Sequence, residues 1–189
     1  MAIITNKQKT LLAKAFIDQG IFVLCIGNPN TMSEQWETPY SEIAPEPEVP
    51  TISSIDNPIA YKLVQNTLPL NQNNPEIIAY AKLDNENGTV EYNNNFYSIT
   101  EDFSVANSGD YTSVYVKTTL DGNEGGLLPT NVSFRIVGLF INTEGTFDSN
   151  GIALPASITD PGDLVVIDYR KPMYRDVDQS ETLEIILPF

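Results

Sequence analysis

The stretch Val132-Ser-Phe-Arg-Ile-Val-Gly-Leu-Phe-Ile141, followed by Asp163-Leu-Val-Val-Ile-Asp-Tyr-Arg-Lys-Pro-Met-Tyr-Arg-Asp-Val-Asp-Gln-Ser-Glu-Thr-Leu-Glu-Ile-Ile-Leu-Pro-Phe189, decides the fold class. β-Branched and aromatic residues fill residues 132–141, and residues 163–168 read as a buried strand. Thr182-Leu-Glu-Ile-Ile-Leu187 turns Thr and Glu outward and Leu and Ile inward before the chain closes on an apolar run. Pro172 lacks an N–H donor, so Tyr169 to Asp178 reads as a shaped connection where the chain turns back on itself, not as a central strand.

Upstream of this region the signals are mixed. Thr5 and Gln8 match a capping box, Gly20 is placed to end the helix they start, and Leu11, Leu12, Ala15 and Phe16 share one face of it, by which a helix this short must dock onto something. Residues 21–27 are apolar enough for a strand covered on both faces. Ser53 to Gln65 fits a short helix, with Ser54 or Asp56 as cap and Pro58 in the first turn. A meander follows through residues 77–83, 89–92 and 96–100, with Asn87-Gly88 as a hairpin signal, and then a strand over 113–120. The sum is a mainly β, α+β chain. An antiparallel, sandwich-like domain carries an N-terminal helix and a long Pro-rich arm. The expected partition is helix and first strand at 1–27, arm at 28–58 and β domain at 59–189.

The arm holds Pro29, Pro39, Pro45, Pro47, Pro50 and Pro58 among five glutamates. A segment so rich in proline forms neither helix nor central strand, and a loop of about 30 residues inside a domain calls for a purpose. Trp36 and Tyr40 favour an arm packed against something, either a neighbouring subunit or its own domain.

Composition narrows the function classes. With 25 Asp+Glu against 10 Lys+Arg the net charge is -15, which disfavours nucleic acid because phosphate contacts need cations. No apolar run reaches the about 18 residues of a membrane span, and Met1-Ala-Ile-Ile-Thr5 has neither the basic flank nor the apolar core of a secretory signal. The chain has no histidine and one cysteine, Cys25, so His-dependent nucleophile sets, a thiolate metal site and an internal disulfide are not expected. Asp121-Gly-Asn-Glu-Gly-Gly126 starts like a calcium loop, but the closing position, where a bidentate Glu is needed, falls on Val132. No catalytic residue, cofactor or metal is nominated. Arg170, Lys171 and Arg175, followed by Asp176, Asp178 and Glu181, suit either a salt-bridge network bracing the turn or a docking spot for a neighbour's carboxylate.

Phe134-Arg-Ile-Val-Gly-Leu-Phe140, Asp168-Tyr-Arg-Lys-Pro-Met-Tyr-Arg175, Asp178-Gln-Ser-Glu181 and the terminal Ile-Ile-Leu-Pro-Phe189 resemble the C-terminal signature of bacteriophage baseplate wedge and related tail structural proteins. The front end is similar too: a helix, then Phe22-Val-Leu-Cys-Ile-Gly27 and a Trp- and Pro-rich stretch. The resemblance implies a non-enzymatic virion component, assembled in the host cytoplasm and built into a contractile-type tail baseplate beside other tail proteins. It also implies several copies, a homodimer being one arrangement. Arg135, Arg170, Lys171, Arg175, Asp178, Gln179 and Glu181 would brace the fold or its contacts. The alternative kept beside it is a tail-associated carbohydrate- or receptor-binding module.

Overall fold

The computed structural model describes residues 4–28, 53–55, 57–65, 70, 75–120, 132–175 and 180–189. In chain order the elements are helix α1 (Asn6–Ile17), strands β1 (Phe22–Asn28), β2 (Asn57–Val64), β3 (Ile77–Leu83), β4 (Val90–Tyr92) and β5 (Asn95–Thr100), helix α2 (Phe103–Ser108), strands β6 (Ser113–Leu120), β7 (Val132–Ile141), β8 (Glu144–Gly145) and β9 (Ile152–Ala153), a single 3₁₀ turn (Pro155–Ser157), and strands β10 (Ile158–Asp160), β11 (Asp163–Arg175) and β12 (Glu181–Pro188). They divide between two compact units. One comprises Met1–Gly20, Val64–Thr119 and Thr182–Phe189; the other, Ile21–Leu63 and Leu120–Glu181.

In the second unit β11-β7-β1-β2-β9 form a five-stranded sheet, with β10 and β8 as a separate ribbon. β7 lies between β11 and β1 and pairs antiparallel with both, Cys25 and Ile167 each standing opposite Gly138. Phe22 to Gly27 are all buried, as a continuous apolar run in a doubly covered strand should be, and so are Phe134 to Phe140, Arg135 included. On one face Val23, Cys25, Ile55, Tyr61, Ile136 and Phe140 make a common core, with Tyr61 and Phe140 rings 6.1 Å apart. Two glycines shape it. A Cβ on Gly27 would stand 2.6 Å from Ile55 Cγ2 and 2.8 Å from the Asn57 carbonyl oxygen, and one on Gly138 only 2.5 Å from Ile55 Cδ1. Ile55 therefore seats in a hollow made by missing side chains on adjacent strands.

The first unit carries the second sheet, β12-β6-β3-β5-β4. Helices α1 and α2 pack on each other and on β3, with Tyr80 of β3 against the Phe103 ring at 5.9 Å. The opposite face gathers Ile77, Ala79, Ala81 and Tyr115, with Leu70, Val90, Tyr97, Ile99 and Ile186 packed around them. The terminal residue is tied in: Phe189 N donates to Thr112 O at 3.0 Å, and its ring lies 5.5 Å from that of Phe16.

Several expectations hold. Thr5 caps α1 by accepting from Gln8 N at 3.3 Å, and Gly20 takes the left-handed conformation (φ 87°) that ends it. Strands β1, β6, β7 and β12 fall where the sequence pattern puts them, and Leu183 and Ile185 are the inward residues of β12.

Other expectations need correction. The outward face of α1 carries Leu11 and Leu12, 48% and 44% exposed, while Thr10 and Ala13 are the buried positions. The helix has apolar residues on two opposite sides, so spacing alone could not say which side faces the sheet. Ser53 to Gln65 is not a helix: β2 starts at Asn57 and sits between β1 and β9, with Lys62 opposite Ile152. Sheet pairing outweighs the capping signals, and Pro58 is tolerated near the strand's beginning. The meander is reordered, because β5 lies between β3 and β4. Asn87-Gly88 therefore closes a local loop, Gly88 N donating to Asp84 O at 2.7 Å, and the tight hairpin turn is Asn93-Asn94, both at positive φ (49° and 60°). β11 is an edge strand, half-exposed rather than buried, and it continues past Pro172 by means of a register shift between Tyr169 and Met173. It does not fold back onto β12, which joins the other sheet.

Candidate interface surfaces

The bulge in β11 brings several of the sequence-nominated residues together. Tyr169 pairs with Ile136 and Met173 with Phe134, so Arg135 of β7 faces the three-residue excursion Arg170-Lys171-Pro172. Arg135 is 2% exposed, and burial pushes its guanidinium pKa below the usual arginine value. On β11, residues 168 and 170 share a face, and Arg170 Nε donates to Asp168 Oδ2 at 2.7 Å, both side chains partly exposed. A half-exposed pair of this kind fixes geometry more than it stabilises. This partner differs from the acidic run after Arg175 that the charge pattern suggested. Lys171 and Arg175 have their backbone in β11, and Arg175 pairs with Val132. Their side chains lie outside the described residues, as do Trp36, Tyr40, Asp178, Gln179 and the loop 121–126. Glu181 opens β12 and is half-buried.

Two surfaces of the first unit were not nominated from sequence. One is a shallow cleft on the open face of its sheet, lined by Ile77, Val90, Ile99, Tyr115, Lys117 and Glu184. Tyr115 Oη donates to Glu184 Oε1 at 2.6 Å, and burial together with that carboxylate pushes the phenol pKa upward. The alternation in Thr182–Leu187 could have flagged Glu184, since it is the polar residue flanked by inward Leu183 and Ile185. The other is the outward face of α1, where Ile4, Leu11 and Leu12 stand exposed. Leu11-Leu12 was visible in the sequence as part of one apolar face, but not as the exposed one.

Among the described residues no group of three or more His, Cys, Asp or Glu is placed to hold a metal ion, and no helix is long and apolar enough to cross a membrane. What the geometry does present is two β-sheet units, a bulged edge strand and an exposed apolar helix face. Over its full length, residues 1–189, the chain matches the family described as "Baseplate wedge 3 tail fiber network component", and it belongs to that family. Its role is therefore structural and its place the phage tail baseplate, where it meets other baseplate proteins. No curated protein matches the chain.

Proposed function

We propose that the chain is a wedge subunit of a contractile-type phage baseplate, non-enzymatic, that helps assemble the virion by locking into neighbouring tail proteins in several copies. Assembly takes place in the host cytoplasm. The observation that carries this reading is the family match across residues 1–189. The buried Arg135, the Arg170–Asp168 pair and the bulged edge strand support it, because they stiffen a surface without creating a reactive centre. In this reading Arg135 and Arg170 brace the fold. Trp36, Tyr40, Lys171, Arg175, Asp178, Gln179 and Glu181 contribute to it or to contacts with neighbours.

The test is location. Purified particles are digested and searched by mass spectrometry for this chain, and a tagged copy is then placed in the particle by negative-stain microscopy. The expected result is a fixed stoichiometry and density at the tail tip, with light scattering giving the state of the free chain. A chain missing from particles, or free chain showing millimolar or tighter affinity for a host saccharide, would sink the proposal in favour of a receptor-binding module.

A further inference from the structure

Helix α1 has two apolar faces, and one of them is uncovered. Thr10 and Ala13 are buried against its own unit, with Phe16 and Ile17 half-buried beside them. At 3.6 residues per turn, Leu11, Leu12, Ala15 and Gln8 fall on the opposite side. Leu11 and Leu12 are 48% and 44% exposed, and Ile4, just before the cap, is 53% exposed. A helix apolar on both sides is normally covered on both. Charge says what the cover is. Residues 6–17 hold Lys7, Lys9 and Lys14 and no acid, in a chain whose net charge is -15. Lys14 is already committed, bound to Asp18 and lying 5.3 Å from the centre of the Phe103 ring. Lys7 and Lys9 flank the apolar stripe on its two sides, Lys7 exposed and Lys9 half-buried, and neither is ion-paired with a described residue.

We propose that the outward face of α1 docks into an apolar groove rimmed by carboxylates on a different protein of the baseplate. A second copy of this chain is the wrong occupant. Pairing the stripe with itself sets lysine against lysine in either orientation, and the carboxylate nearest the helix, Asp18, is taken by Lys14. An acidic partner is repelled by the rest of this acidic chain and admitted at the cationic helix, which fixes where it binds. The mode is a helix in a groove, read by anchors at positions 4, 11 and 12. A helix of 12 residues is about 18 Å long. One face of it covers less than the roughly 800 Å² per partner of a free-standing complex, so the contact is one of several in an assembly.

This inference rests on the assembly reading above, and the experiment separates the two. Virions carrying Leu12→Cys are prepared and this chain is quantified in them by mass spectrometry, which tests the assembly reading alone. The other cysteine, Cys25, is buried, so maleimide reports position 12. In assembled particles the new thiol is expected to be protected at least tenfold relative to the free chain. A carbodiimide, which joins amines to touching carboxylates, is expected to couple Lys7 or Lys9 to an Asp or Glu of another protein. Leu11→Asp with Leu12→Asp, both at exposed positions, is expected to keep the circular dichroism and melting of the free chain. It is also expected to lower incorporation in competition with the unaltered chain by tenfold or more. The inference is overturned if the chain is present in particles with position 12 as reactive as in the free chain, if the couplings are to another copy, if the helix binds anionic vesicles instead, or if the double variant competes equally.

Discussion

The seat of Ile55 on two glycines gives a sharp test of the packing described for the β11-β7-β1-β2-β9 sheet. Gly138→Ala places a methyl 2.5 Å from Ile55 Cδ1, while Gly27→Ala places one 2.6 Å from Cγ2 and 2.8 Å from the Asn57 carbonyl oxygen. Each single change should cost about 1–3 kcal/mol by overpacking. Ile55→Val deletes Cδ1 but keeps Cγ2, and alone should cost about 0.5–1.5 kcal/mol for the space it leaves. Combining Ile55→Val with Gly138→Ala fills that space with the new methyl. The double variant should then be more stable than the two single losses summed, a coupling of about 1 kcal/mol or more, with only the approaches to Leu164 Cδ1 at 3.0 Å and Phe140 Cε2 at 3.2 Å left to be absorbed. Combining it with Gly27→Ala relieves nothing, because the clashing methyl and the backbone carbonyl both remain, and the effects should add within about 0.5 kcal/mol. Urea unfolding followed by circular dichroism measures all five variants. Additivity for the Gly138 pair, or rescue of Gly27→Ala, would show that Ile55 does not occupy this hollow.

Further expectations concern buried polar groups and turns. Burial raises Cys25 from 9.0 to about 12 and lifts Tyr61, Tyr80 and Tyr115 above 10.0. Above about pH 9 the unfolded chain releases these protons before the folded one does. Stability should thus be fully present below pH 9 and fall as pH rises, by up to about 1.4 kcal/mol per pH unit per group. A melting temperature unchanged from pH 8 to 11 would contradict this. At pH 8 the Cys25 thiol should resist a thiol reagent in the native chain and react promptly in urea, since it is fully buried; full labelling within the dead time of the native sample would be inconsistent with its place in β1. Tyr115→Phe removes the 2.6 Å donation to Glu184 and should cost about 1–3 kcal/mol in urea unfolding, whereas a neutral outcome would mean water replaces the hydroxyl. At the β4–β5 turn, Asn94→Ala should cost about 1 kcal/mol and Asn94→Gly close to nothing, because φ is 60° there; equal effects would count against a left-handed turn.

The sequence was most legible where a signal was local and had one structural solution. Thr5, Gln8 and Gly20 mark both ends of α1, and the unbroken apolar run of β1 reads directly as a strand covered on both faces. It was least legible where the answer depended on which distant segment arrives. The side of α1 that packs is chosen by the sheet it meets, and β2 is a strand because β1 and β9 offer it backbone partners on both sides. The position of β5 between β3 and β4 is likewise a long-range choice that an Asn-Gly pair cannot report. The candidate surfaces follow the same rule. Arg135 and Arg170 were visible as cations in an acidic chain, but only the bulge across Pro172 sets the first opposite the second. The apolar stripe on α1 was visible as a face that must dock, but exposure is not encoded in spacing.

The two units are threaded through each other along the chain, since Ile21–Leu63 and Leu120–Glu181 are enclosed between the segments Met1–Gly20, Val64–Thr119 and Thr182–Phe189. During synthesis the enclosed unit has its last strand as soon as β11 emerges. The enclosing unit must keep α1 and the strands β3 to β6 waiting for β12. Its strand β6 is therefore a bare edge until β12 emerges, and a ribosome stalled before Thr182 would hold a nascent chain with one sheet finished and the other open to any passing strand.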